Sequence, residues 1–509
     1  MNKWSYLDFT SLIFTMKHIL FATTLFLILS TASQAQIDTL KQQSLTPPAS
    51  EKWTFKQCID YALANNLSIQ RSNYNVESSE VDLRQSKFSR FPDINTSVGY
   101  GYSWGRGLDP VTNNFVSREI RSSNISGNAA LPIYNGFAIH NTIRQNQRAL
   151  AASEYDLAKA KNDLILNVAN LFINVVFNKE LVENAKYQLA SSRQQLERTR
   201  KQVAAGSLPK SEELNLDAQV ASNEVTLVQQ ENALALSLLQ LKQALQIPGS
   251  QGLDIEVPQM DPEDLVIDQT RDEIFDIARN TLPEIKSAEM RIQSSAYAVK
   301  ASRGNLLPRL NLTAGVNTNY SSAQEAQFYP DGGFRFPNDG EMPPFAYVNK
   351  DLSQGVYSIE ATGTFRNTYL FKDQIQDNIY RTLGFQLIIP ILNGYSARAS
   401  LQRSVIQNQQ SKIDAEQASQ TLRQNVETAY NEALASSKTY NSSLRQVQAR
   451  EEAFRMMDQR YSAGAANSFE YQVSQNDLYR AKTDLTRAKY DFIFKKKVLD
   501  FYQGKPLEY

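Results

Sequence analysis

The chain has 509 residues, with 53 Lys plus Arg balanced by 53 Asp plus Glu, two histidines and one cysteine. The neutral balance gives no broad basic field for nucleic acid. One cysteine excludes an internal disulfide framework, and with only His18 and His140, the first of them expected to be lost with an N-terminal signal, no histidine cluster is left to bind metal or run acid–base chemistry.

The N-terminus reads as a targeting segment. Met16-Lys17-His18, the apolar run Ile19 to Leu29, and Ala32-Ser33-Gln34-Ala35 supply the basic, apolar and small-residue regions of a secretory signal peptide. The expected signal is therefore 16–35, with Met16 as the true start and cleavage after Ala35. Its apolar run is shorter than the roughly 20 residues a spanning helix needs. Residues 36–52, with Pro47-Pro48, read as an unstructured leader. Cys58 lies beyond the cleavage site, so it is no lipid anchor and is expected to be a small buried thiol.

From residue 53 the chain is written twice. A helix, Pro, strand, strand, Pro, Asn-Gly, long-helix pattern fills 53–247 and recurs over 271–503, with a Pro-rich linker at 248–270 and a tail at 504–509. Phe91-Pro92-Asp93-Ile94-Asn95 matches Leu307-Pro308-Arg309-Leu310-Asn311 at an offset of 216, read from Pro92 to Pro308. Pro132-Ile133-Tyr134-Asn135-Gly136 matches Pro390-Ile391-Leu392-Asn393-Gly394 at an offset of 258, read from Pro132 to Pro390. The change of offset places a long insertion, 321–379, between the two strands of the second half, where an outward loop is expected.

The strands alternate with period two. Ile94, Thr96, Val98, Tyr100, Tyr102 and Trp104 interleave with Asn95, Ser97, Gly99, Gly101 and Ser103; Leu310, Leu312, Ala314, Val316, Thr318 and Tyr320 interleave with Asn311, Thr313, Gly315, Asn317 and Asn319. In the return strands Ile125, Ala129 and Leu131 share one face, as do Leu383, Phe385, Leu387 and Ile389. A soluble sheet over a core would also alternate. The polar faces are small and uncharged, however, and Tyr100, Tyr102, Trp104 and Tyr320 suit an aromatic girdle at a membrane interface. Four strands cannot close a barrel of useful bore, so copies from other chains are required.

After Asn135-Gly136 there is no glycine until Gly206 and no proline until Pro209; after Asn393-Gly394 there is no glycine until Gly464. Residues 137–205 can form one helix of about 100 Å at 1.5 Å per residue. Val168, Val175, Val182, Leu189, Leu196 and Val203 recur at coiled-coil spacing. The companion row turns from Leu157, Leu164 and Leu171 into Asn178, Ala185, Ser192 and Thr199. A seam half polar suits a helix with neighbours on two sides in a ring. Gly206 and Gly464 mark the helix ends of two hairpins.

The paired Phe-Pro-Asp-Ile and Leu-Pro-Arg-Leu strand starts, the paired Pro-Ile-x-Asn-Gly strand exits and the Gly206 and Gly464 turns resemble the TolC family of outer-membrane efflux proteins over about 53–503. The resemblance implies an α+β membrane protein, a homotrimer in which twelve strands, four per chain, close one β-barrel in outer-membrane lipid. It also implies coiled-coil-like hairpins forming a periplasmic α-barrel whose tips meet an adaptor (membrane fusion) protein and an inner-membrane pump. From the family's gate, Glu212 and Glu470 stand six residues after the turn glycines and Tyr461 three before the second; a further acid is replaced by Val473. Three chains would then gather six carboxylates at a narrow, cation-favouring mouth. The plainer reading keeps both acids as partners of a helix N-terminus, and Arg460 is a candidate partner for either.

No cofactor is expected. Asp331-Gly332-Gly333-Phe334 lacks the strand–helix context of a phosphate loop, and carboxylates along the rods read as solvated faces. The expected protein is a passive exit duct for efflux or type I secretion, not an enzyme. A periplasmic coiled-coil scaffold or adaptor is the alternative.

Overall fold

The computed structural model describes residues 52–108, 115–117, 119–258, 269–324, 326–335, 346–347, 355–356, 360–367 and 369–505. The signal peptide, and the leader apart from Lys52, lie outside the described residues. In chain order the elements are β1 (Lys52–Trp53), α1 (Phe55–Asn65), α2 (Leu67–Phe88), β2 (Asp93–Ser103), β3 (Arg106–Leu108), β4 (Phe115–Ser117), β5 (Ile120–Tyr134), α3 (Ala138–Ala204), α4 (Lys210–Ala244) and β6 (Asp254–Ile255). There follow α5 (Arg271–Thr281), α6 (Pro283–Gly304), β7 (Arg309–Ser321), a 3-10 turn (Ser322–Gln324), β8 (Ala326–Arg335), β9 (Ala346–Tyr347), β10 (Gly355–Val356), β11 (Glu360–Asn367), α7 (Phe371–Asp377), β12 (Tyr380–Ile388), α8 (Ser396–Ser462) and α9 (Ser468–Tyr502).

Helix lengths come in pairs: 11 residues for α1 and α5, 22 for α2 and α6, 67 for α3 and α8, 35 for α4 and α9. The same local chemistry sets the paired boundaries. Thr54 and Gln57 cap α1 reciprocally, and Thr270 and Glu273 do so for α5. At the far ends of α3 and α8, Gly206 (φ 74°) and Gly464 (φ 72°) adopt the left-handed conformation. Ser207 N–H then donates to Gln202 O and Ala465 N–H to Arg460 O, closing Schellman motifs. Gln246 (φ 60°) and Gly504 (φ 75°) do the same after α4 and α9.

The chain divides into two compact units. One takes residues up to 69 and 164–260. Its core is the apolar middle of α3, where Val168, Phe172, Val175 and Val176 are almost fully buried with Ile69, Leu241, Leu245 and Ile255. Phe55 meets Phe172 edge-on at 5.3 Å. This stretch is apolar enough to cross a membrane by composition, yet its burial identifies it as a packed core. Asp254–Ile255 pairs in parallel with Lys52–Trp53, and Lys179 Nζ holds Asp254 at 2.7 Å. That part of the expected linker is therefore an integral strand. Towards the turn, Leu189 and Leu196 pack on Leu216 and Val220 of α4. The half-polar row is buried in the same hairpin, with Ser192 accepting from Asn223, so it needs no neighbouring chain to cover it.

The other unit takes 70–163 and 261–507. Ile274, Phe275 and Ala278 of α5 pack with Leu422, Val426, Ala429 and Ala433 of α8 and Leu499 of α9; Tyr440 stacks on Phe492 at 6.1 Å. This unit also holds an antiparallel four-stranded sheet in the order β12-β7-β5-β2. Between β7 and β12 the insertion is more ordered than an open loop: β8 and β11 pair antiparallel, and α7 docks on the end of β7. There the buried Gln374 receives the Ser321 N–H (2.9 Å) and donates to Ser321 O (3.1 Å).

Candidate functional site

The sheet is the first functional surface. Register places Ile94 opposite Ala129, Ala129 opposite Ala314, and Ala314 opposite Leu383. Because directly paired residues point to the same side, the even residues of β2 and β7 share a face with the odd residues of β5 and β12. Ile94, Val98, Leu383, Phe385 and Leu387 stand on that face, all 59–76 % exposed. The opposite face is Asn95, Ser97, Asn124, Ser126, Asn128, Asn311, Thr313, Asn317, Thr382 and Gln386 with Gly99, Gly315 and Gly384. Charge appears on it only at the strand starts, Asp93 and Arg309. An exposed apolar face of this extent in water would invite aggregation; in hydrocarbon it is at home.

Of the four residues expected in an aromatic girdle, three are exposed and adjacent. Tyr100, Tyr102 and Trp104 are 49–75 % exposed and contact one another in sequence, at 5.6 Å and 5.9 Å between ring centres. Trp104 Nε1 donates to Glu119 at 3.2 Å. Tyr320 does not fit. It is 5 % exposed, covered by Phe371 of α7 at 5.0 Å, because the insertion folds back over the end of β7.

At the junctions, Asn135 O accepts from Ala138 N–H and Asn393 O from Ser396 N–H, turning each strand into its rod. Pro132 marks an irregularity in the β5–β7 register, and Pro390 follows β12; Pro92 and Pro308 precede β2 and β7. Gly136 and Gly394 are left-handed, and so are the next residues, Phe137 (φ 62°) and Tyr395 (φ 68°). Aromatic side chains rarely take that conformation, and the sequence carries no local signal for it. Gly136 also touches Gly304 so closely that a Cβ on either would overlap the other's carbonyl, at 2.4 and 2.6 Å.

The hairpin tips are the second surface. In the first unit Pro209 is the N-cap of α4, without a side-chain bond, and Glu212 and Glu213 fill its first turn. Glu213 binds Lys210 (2.6 Å) and lies 3.7 Å from Arg200, which also reaches Glu197 and Asp217 at 3.1 Å each. This Arg200 fork escaped sequence reading: the Glu197 pair is visible at i,i+3 spacing, whereas the Asp217 pair requires the register of the hairpin. In the second unit Asn467 caps α9, accepting from Glu470 N–H (2.8 Å) and donating to its Oε1 (3.1 Å). Glu470 thus serves its own helix start. Tyr461 packs against Tyr471 at 4.8 Å, and Tyr471 against Phe454 at 5.4 Å. Arg460 donates to Ala465 O at 3.4 Å, closing the turn instead of pairing with Glu470. Val473 is exposed. Among the described residues no cluster of His, Cys, Asp and Glu is arranged to hold a metal ion.

Comparison with known proteins agrees with this geometry. A family model described as outer membrane efflux protein matches residues 58–245 and 275–499. The chain is 22 % identical over 400 residues to the pyoverdine export outer membrane protein OpmQ of Pseudomonas aeruginosa, covering 77 % of this chain and 72 % of that one. It is 18 % identical over 421 residues to the alkaline protease secretion protein AprF of the same organism, covering 80 % and 76 %. In fold it is similar to CusC (TM-score 0.69, 18 % identity, 89 % of this chain and 92 % of that one). It is likewise similar to the outer membrane protein VceC of Vibrio cholerae (TM-score 0.68, 15 % identity, 89 % and 97 %). With both segments of the family model matched across most of its length, the chain belongs to the outer membrane efflux protein family.

Proposed function

We propose that three copies of this chain close one twelve-stranded barrel in the outer membrane and serve as the passive exit duct of an efflux or type I secretion system. The observation that carries this reading is the single apolar face running across all four strands, with a neutral, hydrogen-bonding face behind it. Within one chain β2 and β12 each keep an open edge, which a closed barrel removes. The paired helices descend from an internal duplication, and their tips meet a periplasmic adaptor and, through it, an inner-membrane pump. The processed chain starts at Gln36. No chemistry is performed; energy comes from the pump.

Charge selection falls to the tips, since the lumen face is uncharged between its strand starts. Glu212 and Glu470 are the proposed gate acids and Tyr461 a contact that holds the resting state. One relative is a pyoverdine export protein and another secretes alkaline protease, so cargo from small molecules to polypeptides is compatible with the duct.

Fractionation, detergent extraction and detergent-corrected mass determination test the reading. An outer-membrane trimer with single-channel conductance is expected, and Glu212→Gln with Glu470→Gln should lower its cation preference. A salt-extractable periplasmic monomer or dimer would sink the duct and favour the scaffold alternative.

A further inference from the structure

We propose that α7 is a membrane-surface anchor: it lies on the lipid-facing side of the sheet, at headgroup depth in the outer leaflet, and Phe371 takes the girdle place that Tyr320 gives up. The proposal rests on the barrel reading and assigns a partner, outer-leaflet lipid, to this part of the 321–379 insertion.

The side on which α7 lies follows from the strand it touches. Even residues of β7 share the apolar face with Ile94, Val98, Leu383 and Phe385. Two of those even residues hold α7. Thr318 Oγ1 donates to Ile375 O at 2.7 Å, and the Tyr320 ring meets the Phe371 ring at 5.0 Å. Thr318 and Tyr320 are 8 % and 5 % exposed. A cover over the pore would have to pack on the other side, where Asn317 and Asn319 stand.

The helix is fastened there by its own amides. β12 begins at Tyr380, opposite Asn317, so the backbone of β7 beyond that point needs another partner along this edge. Gln374, fully buried, receives the Ser321 N–H at 2.9 Å and donates to Ser321 O at 3.1 Å and to Tyr369 O at 2.9 Å. Asn378 donates to Asn319 O at 2.9 Å. A helix of seven residues is too short to hold its shape alone in water; the sheet end orders it.

Its residues set its depth. Gln374 turns inward, so Lys372 and Gln376, each roughly half a turn away from it, project away from the sheet, and both are exposed. Polar groups on that side rule out a place in hydrocarbon. Leu370, Phe371 and Ile379, at the two ends of the helix, are nonetheless 42–54 % exposed. A polar outer side with apolar flanks is the make-up of an interfacial segment. The strands give the same depth. Tyr100 stands opposite Ser123, and Ser123 opposite Tyr320, so Phe371, lying on Tyr320, continues the aromatic row of Tyr100, Tyr102 and Trp104 around the rim. Lipid is the occupant that meets this side as one surface, from the apolar strands to the aromatic and polar rim.

The test is tryptophan quenching by phosphatidylcholine carrying bromine on its acyl chains, with the full processed chain reconstituted in vesicles. Trp104→Phe is the parent, and its remaining Trp53, 4 % exposed and in the other compact unit, gives the background to subtract. Phe371→Trp, an aromatic exchange at a half-exposed position, is expected to lose most of its added emission to bromine near the headgroup end of the chains and less to bromine near the methyl end. Leu383→Trp, on the apolar strand face, should be quenched as well. Emission from Phe371→Trp that bromine leaves untouched, with Leu383→Trp quenched, overturns the anchor and keeps the duct, since α7 then lies in water or under a second copy. Stronger quenching of Phe371→Trp by the deeper bromine overturns the headgroup depth. An unquenched Leu383→Trp overturns the barrel reading, and the anchor with it.

Discussion

Gly136 and Gly394 occupy matching junctions with nearly the same backbone, φ 62° and 60°, yet alanine should affect them unequally. At Gly394 a Cβ meets nothing within 4 Å, so Gly394→Ala bears only the left-handed penalty, about 1–2 kcal/mol. At Gly136 the same Cβ would stand 2.4 Å from Gly304 O and 2.8 Å from Leu307 Cβ. The first is backbone at the end of α6 and cannot swing aside. Overpacking of this kind typically adds about 1–3 kcal/mol, which brings Gly136→Ala to about 2–5 kcal/mol.

Gly304→Ala isolates the contact, because Gly304 lies in a helix without a positive φ while its Cβ would stand 2.6 Å from Gly136 O. Apparent unfolding midpoints of the three variants, by circular dichroism in one detergent at one protein concentration, should rank Gly136→Ala lowest and Gly394→Ala nearest the wild type. A harmless Gly304→Ala, or a Gly394→Ala as damaging as Gly136→Ala, would refute the close approach of the two glycines.

Burial pushes the Asp254 carboxyl up, but hydrogen bonds from Lys179 and the Ile255 N–H, with the charges of Lys179 and Lys52, outweigh it and leave the pKa below the usual 3.8. A lowered carboxylate contributes stability above 3.8 that is lost as pH falls through the lower folded value. Asp254→Asn should therefore be less stable at neutral pH and converge on the wild type in acid, followed by Trp53 fluorescence with Trp104→Phe; parallel curves would contradict the linkage. Lys496 and Asp500 form a pair at 2.6 Å with side chains 5 % and 11 % exposed, and Lys505 lies 3.4 Å away. Lys496→Met should cost about 3 kcal/mol, near the low end for a broken buried pair because Lys505 remains, and Asp500→Leu in the same chain should recover most of it in chemical denaturation. Gln246 takes the left-handed position that Gly504 takes in the second half, and Gln246→Gly should raise stability by about 1 kcal/mol in the same assay; a loss would show that its side-chain bond to Gln243 O outweighs the strain.

The regular parts were legible because local rules produce them. Glycine-free runs gave both rods to within a residue, strand alternation gave the apolar and polar faces of the sheet, and Gly206 and Gly464 gave the turns. What escaped depended on contacts distant in sequence. Tyr320 looked like a girdle residue because nothing in its own strand reveals that Phe371, some fifty residues on, lies across it. Ile255 read as linker because a two-residue strand has no period; only its pairing with Trp53 makes it structure. The Arg200 fork joins residues on opposite arms of a hairpin, where spacing in the chain says little about spacing in space. At Glu470 two readings of one residue were open, and its bonds to Asn467 at the start of α9, compatible with either, were not legible from its spacing to the turn glycine.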